Sequence, residues 1–386
     1  MKITIDAFPA MIQKTGIGHY TYNLISQFPR IAPEDDFYLC DAVCRTGFYN
    51  MSRLDGQESA DRFLDISKVS FPFVTLARLF LLLRSKLRGA TTKVEEADVF
   101  FGTNYRGLFG PSFKTVITIH DMAHEYFPEA TEEKTLNYLR SELPAVAHKA
   151  QRIIADSDAT RDDIIKFLQV PAEKVRVVYL GVDPVFHPIT DRSSLESVRR
   201  RYRLPERFIL CVGTIQPRKN LMGLLQAYAR LCQDENFHHD IVLAGGVGWK
   251  NVGLKEHIDS LGISSRVHFT GYLPDADLPL MYNLCDIFVF PSIYEGFGLP
   301  VLEAMASGVP VMTSKTSSLP EVAGDAALLV DPASIEEMAA GMLRLLSDQD
   351  LRSCCRERGI ARARLFTWER CARETLQVLR EAVEDR

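Results

Sequence analysis

The chain has no apolar run that reaches the about 20 residues a helix needs to cross a bilayer. It has no excess of basic charge. Its 45 Lys and Arg face 50 Asp and Glu, a formal net charge of −5, so there is no general electrostatic pull toward nucleic acid. Internal repeats and low-complexity tracts are missing, which excludes solenoids and disordered arrays. The eight cysteines are scattered. Cys40 and Cys44 have no second Cys or His pair at zinc spacing, so no metal site is expected, and reduced thiols in a cytoplasm are the simpler reading. The opening Met-Lys-Ile-Thr-Ile-Asp-Ala reads as a strand and not as a signal peptide. No GxGxxG follows a strand with a suitably placed acid, which disfavours a nicotinamide dehydrogenase.

What is present is a soluble globular composition, 46% hydrophobic and 25% charged over 386 residues. Single cores rarely grow past about 250–300 residues, so two domains are expected. Apolar runs predict strands at 2–7, 37–43, 97–102, 114–119, 152–155 and 174–179. Helices are expected from Gly16 to Phe28, over 131–149, and over 159–168 behind an Asp156-Ser157-Asp158 cap. Gly181 to Pro188 breaks the alternation with two prolines, and 189–205 is charged. The second half alternates again, with strands at 207–213, 241–246, 267–273, 286–290, 309–313 and 326–330. Helices are expected at 221–233, 278–284, 300–308, 334–346 and 349–363, and a last one over 367–384. The fold class is α/β, two Rossmann-like doubly wound domains. The boundaries are 1–185, a linker at 186–206, a second domain at 207–365, and a C-terminal segment at 366–386.

The most informative stretch runs from Pro291 to Gly308. It reads strand, loop, helix, strand. Pro300 suits a first helical turn, where a missing N–H costs nothing. The N–H groups near Phe297, Gly298 and Leu299 lie at a helix N-terminus, which suits a phosphate. Glu295 precedes that helix and Glu303 lies inside it, about 6 Å beyond Leu299 at about 1.5 Å per residue. Carboxylates accept from hydroxyls. A phosphate between two polyols satisfies both features, and a nucleotide sugar is such a ligand. The competing reading is a surface helix with two solvated glutamates.

Other segments carry smaller signals. Gly16 and Gly18 sit at a turn entering a helix, which offers donors to a phosphate or is a plain turn. His120 and Asp121 follow a strand, where ligand contacts sit in open α/β sheets. A strand ends at Gly213, and Arg218 and Lys219 then sit at a strand-to-helix turn, as diphosphate ligands or as a charged surface turn. Asp275-Ala-Asp277 reads as a helix N-cap. Over 71–88, Leu76, Leu79, Phe80, Leu83 and Leu87 form one helical face, with Arg78, Arg84, Lys86 and Arg88 off it. That pattern fits an anionic membrane surface or a core-facing helix with a solvated back.

Glu295-Gly-Phe-Gly-Leu-Pro-Val-Leu-Glu303 and the Ala-Met-Ala-Ser-Gly-Val-Pro-Val that follows resemble the E-x7-E signature of retaining glycosyltransferases of family 4, which have the GT-B fold. The resemblance implies two domains facing a cleft, with the last helix crossing back onto the first. It implies that Glu295 contacts the donor sugar and Glu303 the ribose hydroxyls, while the amides of Phe297, Gly298 and Leu299 hold sugar and phosphate. It places Gly16 and Gly18 near the donor diphosphate, His120 facing donor sugar and acceptor, Lys219 on the diphosphate, and a base-binding loop around Tyr272 and Leu273. The family's arginine often directly follows the glycine, where this chain has Thr214. Some members have Pro-Arg-Lys-Asn, as here, which gives the role to Arg218. The implied catalytic set is His120, Glu295, Arg218 and Lys219.

The implied activity is a retaining, metal-independent hexosyl transfer with no cofactor beyond the nucleotide sugar. The Pro-Arg-Lys-Asn turn resembles bacterial mannosyltransferases of surface polysaccharides. The expected donor is therefore GDP-mannose, with UDP-hexoses as the alternative. The expected acceptor is a glycan or lipid-linked saccharide. The expected location is cytoplasmic, with peripheral membrane contact through 71–88. A phosphorylase, a nucleotide-sugar epimerase and a non-catalytic nucleotide-sugar sensor are the competing readings.

Overall fold

The computed structural model describes residues 1–12, 16–41, 46–50, 96–246 and 253–385. The helix expected over 71–88 lies outside them. The chain forms two compact units. The first is Met1–Met122, Lys134–Gly181 and Trp368–Arg386, and the second is Ala123–Glu133 and Val182–Thr367. Among the described residues no helix is long and apolar enough to cross a membrane.

The first unit is built on β1 (Lys2–Asp6), β2 (Asp36–Asp41), β3 (Thr46–Asn50), β4 (Val99–Gly102), β5 (Lys114–Ile119), β6 (Arg152–Ala155) and β7 (Val175–Val177). Their order is β3-β2-β1-β4-β5-β6-β7. Every pairing is parallel except β3 on β2. Strands covered on both faces need continuous apolar runs, and Val116 to Ile119 and Ile153 to Ala155 are indeed buried throughout. The helix Gly16–Ile31 turns Tyr20, Leu24, Ile25 and Phe28 inward. The helix Trp368–Glu384 buries Trp368, Cys371, Leu376 and Leu379 in the same unit. The helix expected over 131–149 is two, Glu133–Ser141 and Leu143–Lys149. Pro144 is the cause. It fits a first turn but would break a helix running through it.

The second unit is built on β8 (Phe208–Val212), β9 (Asp240–Ala244), β10 (Val267–Gly271), β11 (Ile287–Phe290), β12 (Val311–Ser314) and β13 (Leu328–Val330). The order is β10-β9-β8-β11-β12-β13, all parallel. Leu224, Tyr228, Ile241, Val289, Met312, Met342 and Leu345 belong to its core.

The segment 186–206 is no free linker. It belongs to the second unit and holds the helix Arg192–Arg201, capped by Asp191, which accepts from the Ser193 N–H at 3.0 Å. The Asp277 carboxylate makes no capping hydrogen bond to the helix Leu278–Leu284. It accepts instead from Arg201 Nη1 at 2.8 and 2.7 Å and from Tyr202 Oη at 2.7 Å. Two strong donors on a neighbouring helix end outcompete a backbone amide for a buried carboxylate.

Strand order runs outward in opposite directions from one central pair in each sheet, β1 and β4 in the first and β8 and β11 in the second. The carboxyl ends of such a pair are where open α/β sheets bind ligands.

Candidate active site

In the second unit the central pair ends in two segments. After β8 comes Gly213, whose N–H donates to Ala244 O at 2.8 Å. Its φ of +147° favours glycine, and an added Cβ would sit 3.4 Å from the Lys219 Cε. A 3₁₀ turn, Pro217–Lys219, then delivers both cations ahead of the helix Leu221–Leu231. After β11 comes the loop Pro291–Gly298, which leads into the helix Leu299–Ala306.

The two segments meet at Glu295. Arg218 Nη1 lies 2.6 Å from its Oε2 and Lys219 Nζ lies 2.6 Å from its Oε1. Glu295 and Lys219 are buried, at 7% and 9% exposure, and Arg218 is half-buried. Burial would raise the Glu295 pKa, but the charges of Arg218 and Lys219 override it and hold the carboxyl at about 2. In Lys219 burial prevails. Burial lowers its pKa and Arg218 adds to that, while Glu295 resists. The Lys219 ammonium also lies 4.4 Å from the centre of the Phe290 ring. Arg218 further donates to Gln216 Oε1 and Tyr294 O at 3.2 and 3.1 Å.

The loop is braced from behind by the residues after β12. Ser317 Oγ donates to Glu295 O at 2.6 Å and accepts from its N–H at 3.2 Å. The buried Ser318 hydroxyl lies 2.9 and 2.8 Å from the carbonyl oxygens of Glu295 and Phe297. Gly298 has φ +115°, and a Cβ there would meet Leu319 Cδ2 at 2.7 Å. Only glycine fits. The Phe297 ring is buried against Phe366, with 5.9 Å between centres. The first intrahelical bond runs from Val301 N to Gly298 O, so the amides of Gly298 and Leu299 stand ahead of the ladder.

Glu303 lies on that helix and has a different environment. It takes one hydrogen bond, from Tyr282 Oη to Oε2 at 2.9 Å. Burial raises its pKa to about 7, against the pull of that bond and with help from Asp183 and Asp275. Two glutamates eight positions apart are thus driven in opposite directions, one by cations and one by burial. Tyr272 is 60% exposed and Leu273 is buried beside it at 8%.

In the first unit, Gly16 opens the helix Gly16–Ile31 and Gly18 is buried in its first turn. Neither has a positive φ, so glycine's conformational freedom is not what this turn uses. His120 follows β5 and is 7% exposed. Its Nε2 lies 2.9 Å from Thr103 O, an acceptor only, so Nε2 carries a proton. Its Nδ1 lies 2.7 Å from Asp156 Oδ2. Burial opposes a charge on the ring, yet Asp156 and the Thr103 carbonyl raise its pKa. The structure therefore engages both nitrogens with protein partners.

Four participants are absent from the sequence-based set. By sequence Asp156 reads as part of a helix cap, but Ser157 is the cap of Asp158–Leu168, its hydroxyl accepting from Thr160 N. The signal for Asp156 was its place just after β6, beside His120 after the paired β5. Tyr282 and the pair Ser317 and Ser318 had no signal of spacing, because their partners lie on other elements.

Residues 196–362 match the family model described as glycosyl transferases group 1, and residues 15–186 match glycosyltransferase family 4. The O-antigen chain mannosyltransferase B of Escherichia coli is 31% identical over 386 residues, spanning 97% of this chain and 98% of that protein. Sucrose-phosphate synthase from Thermosynechococcus elongatus superposes with a TM-score of 0.70 at 20% identity, covering 98% of both chains. HepE of Anabaena, solved with UDP and glucose, gives a TM-score of 0.69 at 19% identity over 99% of this chain and 100% of that one.

Proposed function

Because the chain belongs to glycosyltransferase family 4, with the two-domain GT-B fold of those structures, we propose that it is a retaining, metal-independent mannosyltransferase. The donor is GDP-mannose and the acceptor a glycan or lipid-linked saccharide. The name and end-to-end extent of the Escherichia coli relative support mannosyl transfer onto a surface polysaccharide. The observation that carries the chemistry is the Arg218–Glu295–Lys219 cluster at the strand-order reversal.

Two cations around one carboxylate become a dicationic site when that carboxylate turns to another partner. A diphosphate takes both cations, Arg218 by its planar fork and Lys219 as a point charge. The helix end at Gly298 and Leu299 adds partial positive charge. Glu295 is then free to accept from a donor-sugar hydroxyl, and Glu303 accepts from the ribose. In the proposed step the bond from the anomeric carbon to the phosphate oxygen breaks. The acceptor oxygen bonds to that carbon on the same face, and its proton passes to the departing diphosphate. Charge growing on the diphosphate is stabilised by the two cations already in place.

The test is a thermal-shift panel of nucleotide sugars, followed by NMR of the product's anomeric configuration. GDP-mannose should stabilise most and the product should be the α-mannoside. Selective stabilisation by a UDP-hexose overturns the donor assignment, and an inverted product overturns the mechanism.

A further inference from the structure

The Tyr282 side chain is fully buried, yet it ends in a hydroxyl. A buried hydroxyl without an acceptor is costly, and this one has a single acceptor, Glu303 Oε2 at 2.9 Å. The ring cannot swing away. Phe288 of β11 meets it edge-on at 5.3 Å, and Phe186, from the segment after Gly181, meets it edge-on at 5.9 Å. Burial, and then the neighbouring Glu303, drive the phenol pKa well above its ordinary value, so the hydroxyl stays a donor.

The surroundings of Glu303 leave this task to Tyr282. Asp183, just before Phe186, and Asp275, ahead of the helix Leu278–Leu284, both face Glu303 with charge of its own sign. On the helix Gln349–Ala363, Arg356 gives its Nε to Gly308 O at 2.7 Å, beyond the far end of the Glu303 helix. Arg362 is turned to the carbonyls of Glu321 and Val322, and Glu321 lies on the helix Leu319–Ala323. Strands β11 and β12 bring no ionisable side chain. Among the described residues no cation pairs with Glu303, and Oε1 has no protein partner.

We propose that Tyr282 is a positioning residue for donor binding: it fixes Oε2 of Glu303 and leaves Oε1 to accept from a vicinal diol, the ribose of a nucleoside diphosphate. This rests on the donor reading above. Tyr282 does not touch the ligand. It acts through Glu303, and Phe186 and Phe288 hold it there.

The experiment measures affinity for GDP by calorimetry from about pH 6 to about pH 9. The proteins are the wild type, Tyr282→Phe, Glu303→Gln and the double variant. The Glu303 titration is read beside it by carboxyl ¹³C NMR. Phenylalanine keeps the ring and removes the donor. Tyr282→Phe should bind GDP about tenfold more weakly near neutral pH. Its affinity should recover as pH rises, because the carboxylate ionises later without its donor, and the NMR midpoint should move up. In the Glu303→Gln background Tyr282→Phe should change nothing further. A pH-independent loss, or a loss that persists in the double variant, would show a merely structural role and overturn the proposal. So would an unmoved Glu303 titration. If Glu303→Gln binds GDP as the wild type does while the NMR midpoint still moves with Tyr282→Phe, the donor reading fails and the Tyr282–Glu303 coupling stands.

Discussion

Replacing Glu295 by Gln keeps the side chain's shape and removes the charge that Arg218 and Lys219 share. The two cations hold its pKa at about 2, against an ordinary 4.5. At about 1.4 kcal/mol per pH unit this corresponds to roughly 3 kcal/mol of folding free energy at neutral pH. The folded value lies below the unfolded one, so the contribution is fully present above pH 4.5 and disappears as pH falls toward 2. Glutamine has none of it at any pH, and it leaves Arg218 and Lys219 facing each other in a site largely closed to water. For a unit of this size each kcal/mol moves Tm by about 2–4 °C. The variant should therefore melt about 6–12 °C lower at pH 7. The gap should narrow steadily below pH 4.5. A nucleoside diphosphate brings back negative charge, and at about 100 times its Kd it adds about 2.7 kcal/mol. It should lift Tm more in the variant, where no carboxylate competes for the cations, while turnover falls because an uncharged amide oxygen replaces the charged acceptor for the sugar hydroxyl. The assay is scanning calorimetry across this pH range, with and without GDP. A variant within about 2 °C of wild type, a gap that does not change with pH, or a smaller ligand shift than in wild type would refute the reasoning.

Lys219→Ala should lower transfer at least about 100-fold, the usual consequence of losing one electrostatic donor to a developing charge; near-normal turnover would remove Lys219 from the site. Activity should persist in excess EDTA, since in the proposed step Arg218 and Lys219 supply the positive charge that meets the departing diphosphate; loss restored by Mg²⁺ or Mn²⁺ would show a metal in the reaction. Asp277→Ala should lower stability by freeing Arg201 and Tyr202, with KM unchanged; denaturant titration beside kinetics checks both. Asp156→Asn removes the charge that raises the His120 pKa and leaves burial to lower it; the His120 ring resonance should titrate at lower pH than in wild type, and an unchanged midpoint would refute the pairing.

Short runs with strong periodicity were readable to the residue. Lys114–Ile119, Arg152–Ala155 and Leu278–Leu284 fall where apolar spacing and turn residues place them. The glutamates around the Gly-rich loop were legible because a local pattern fixes a strand, a loop and a helix end together. What was illegible depends on partners distant in sequence. Nothing near Asp277 announces Arg201, and nothing near Glu303 announces Tyr282, although the sequence holds both. Charge density at 189–205 hid a helix, because Arg199, Arg200 and Arg201 read as a solvated linker until Asp277 gives one of them a partner. The continuous pattern over 131–149 hid a break, because Pro144 fits either a kink or a new first turn.

The helix Trp368–Glu384 belongs to the first unit, whose sheet is complete by Val177. A ribosome releases the chain from its first residue onward, so the opening sheet emerges long before the helix that covers it. Until that helix leaves the tunnel, the apolar surfaces that later meet Trp368, Leu376 and Leu379 stay open to water or to a chaperone. The second unit takes all but the short segment Ala123–Glu133 from one continuous stretch, and that stretch is finished first. In synthesis the order of completion is thus the reverse of the order in sequence: the unit that begins first closes last.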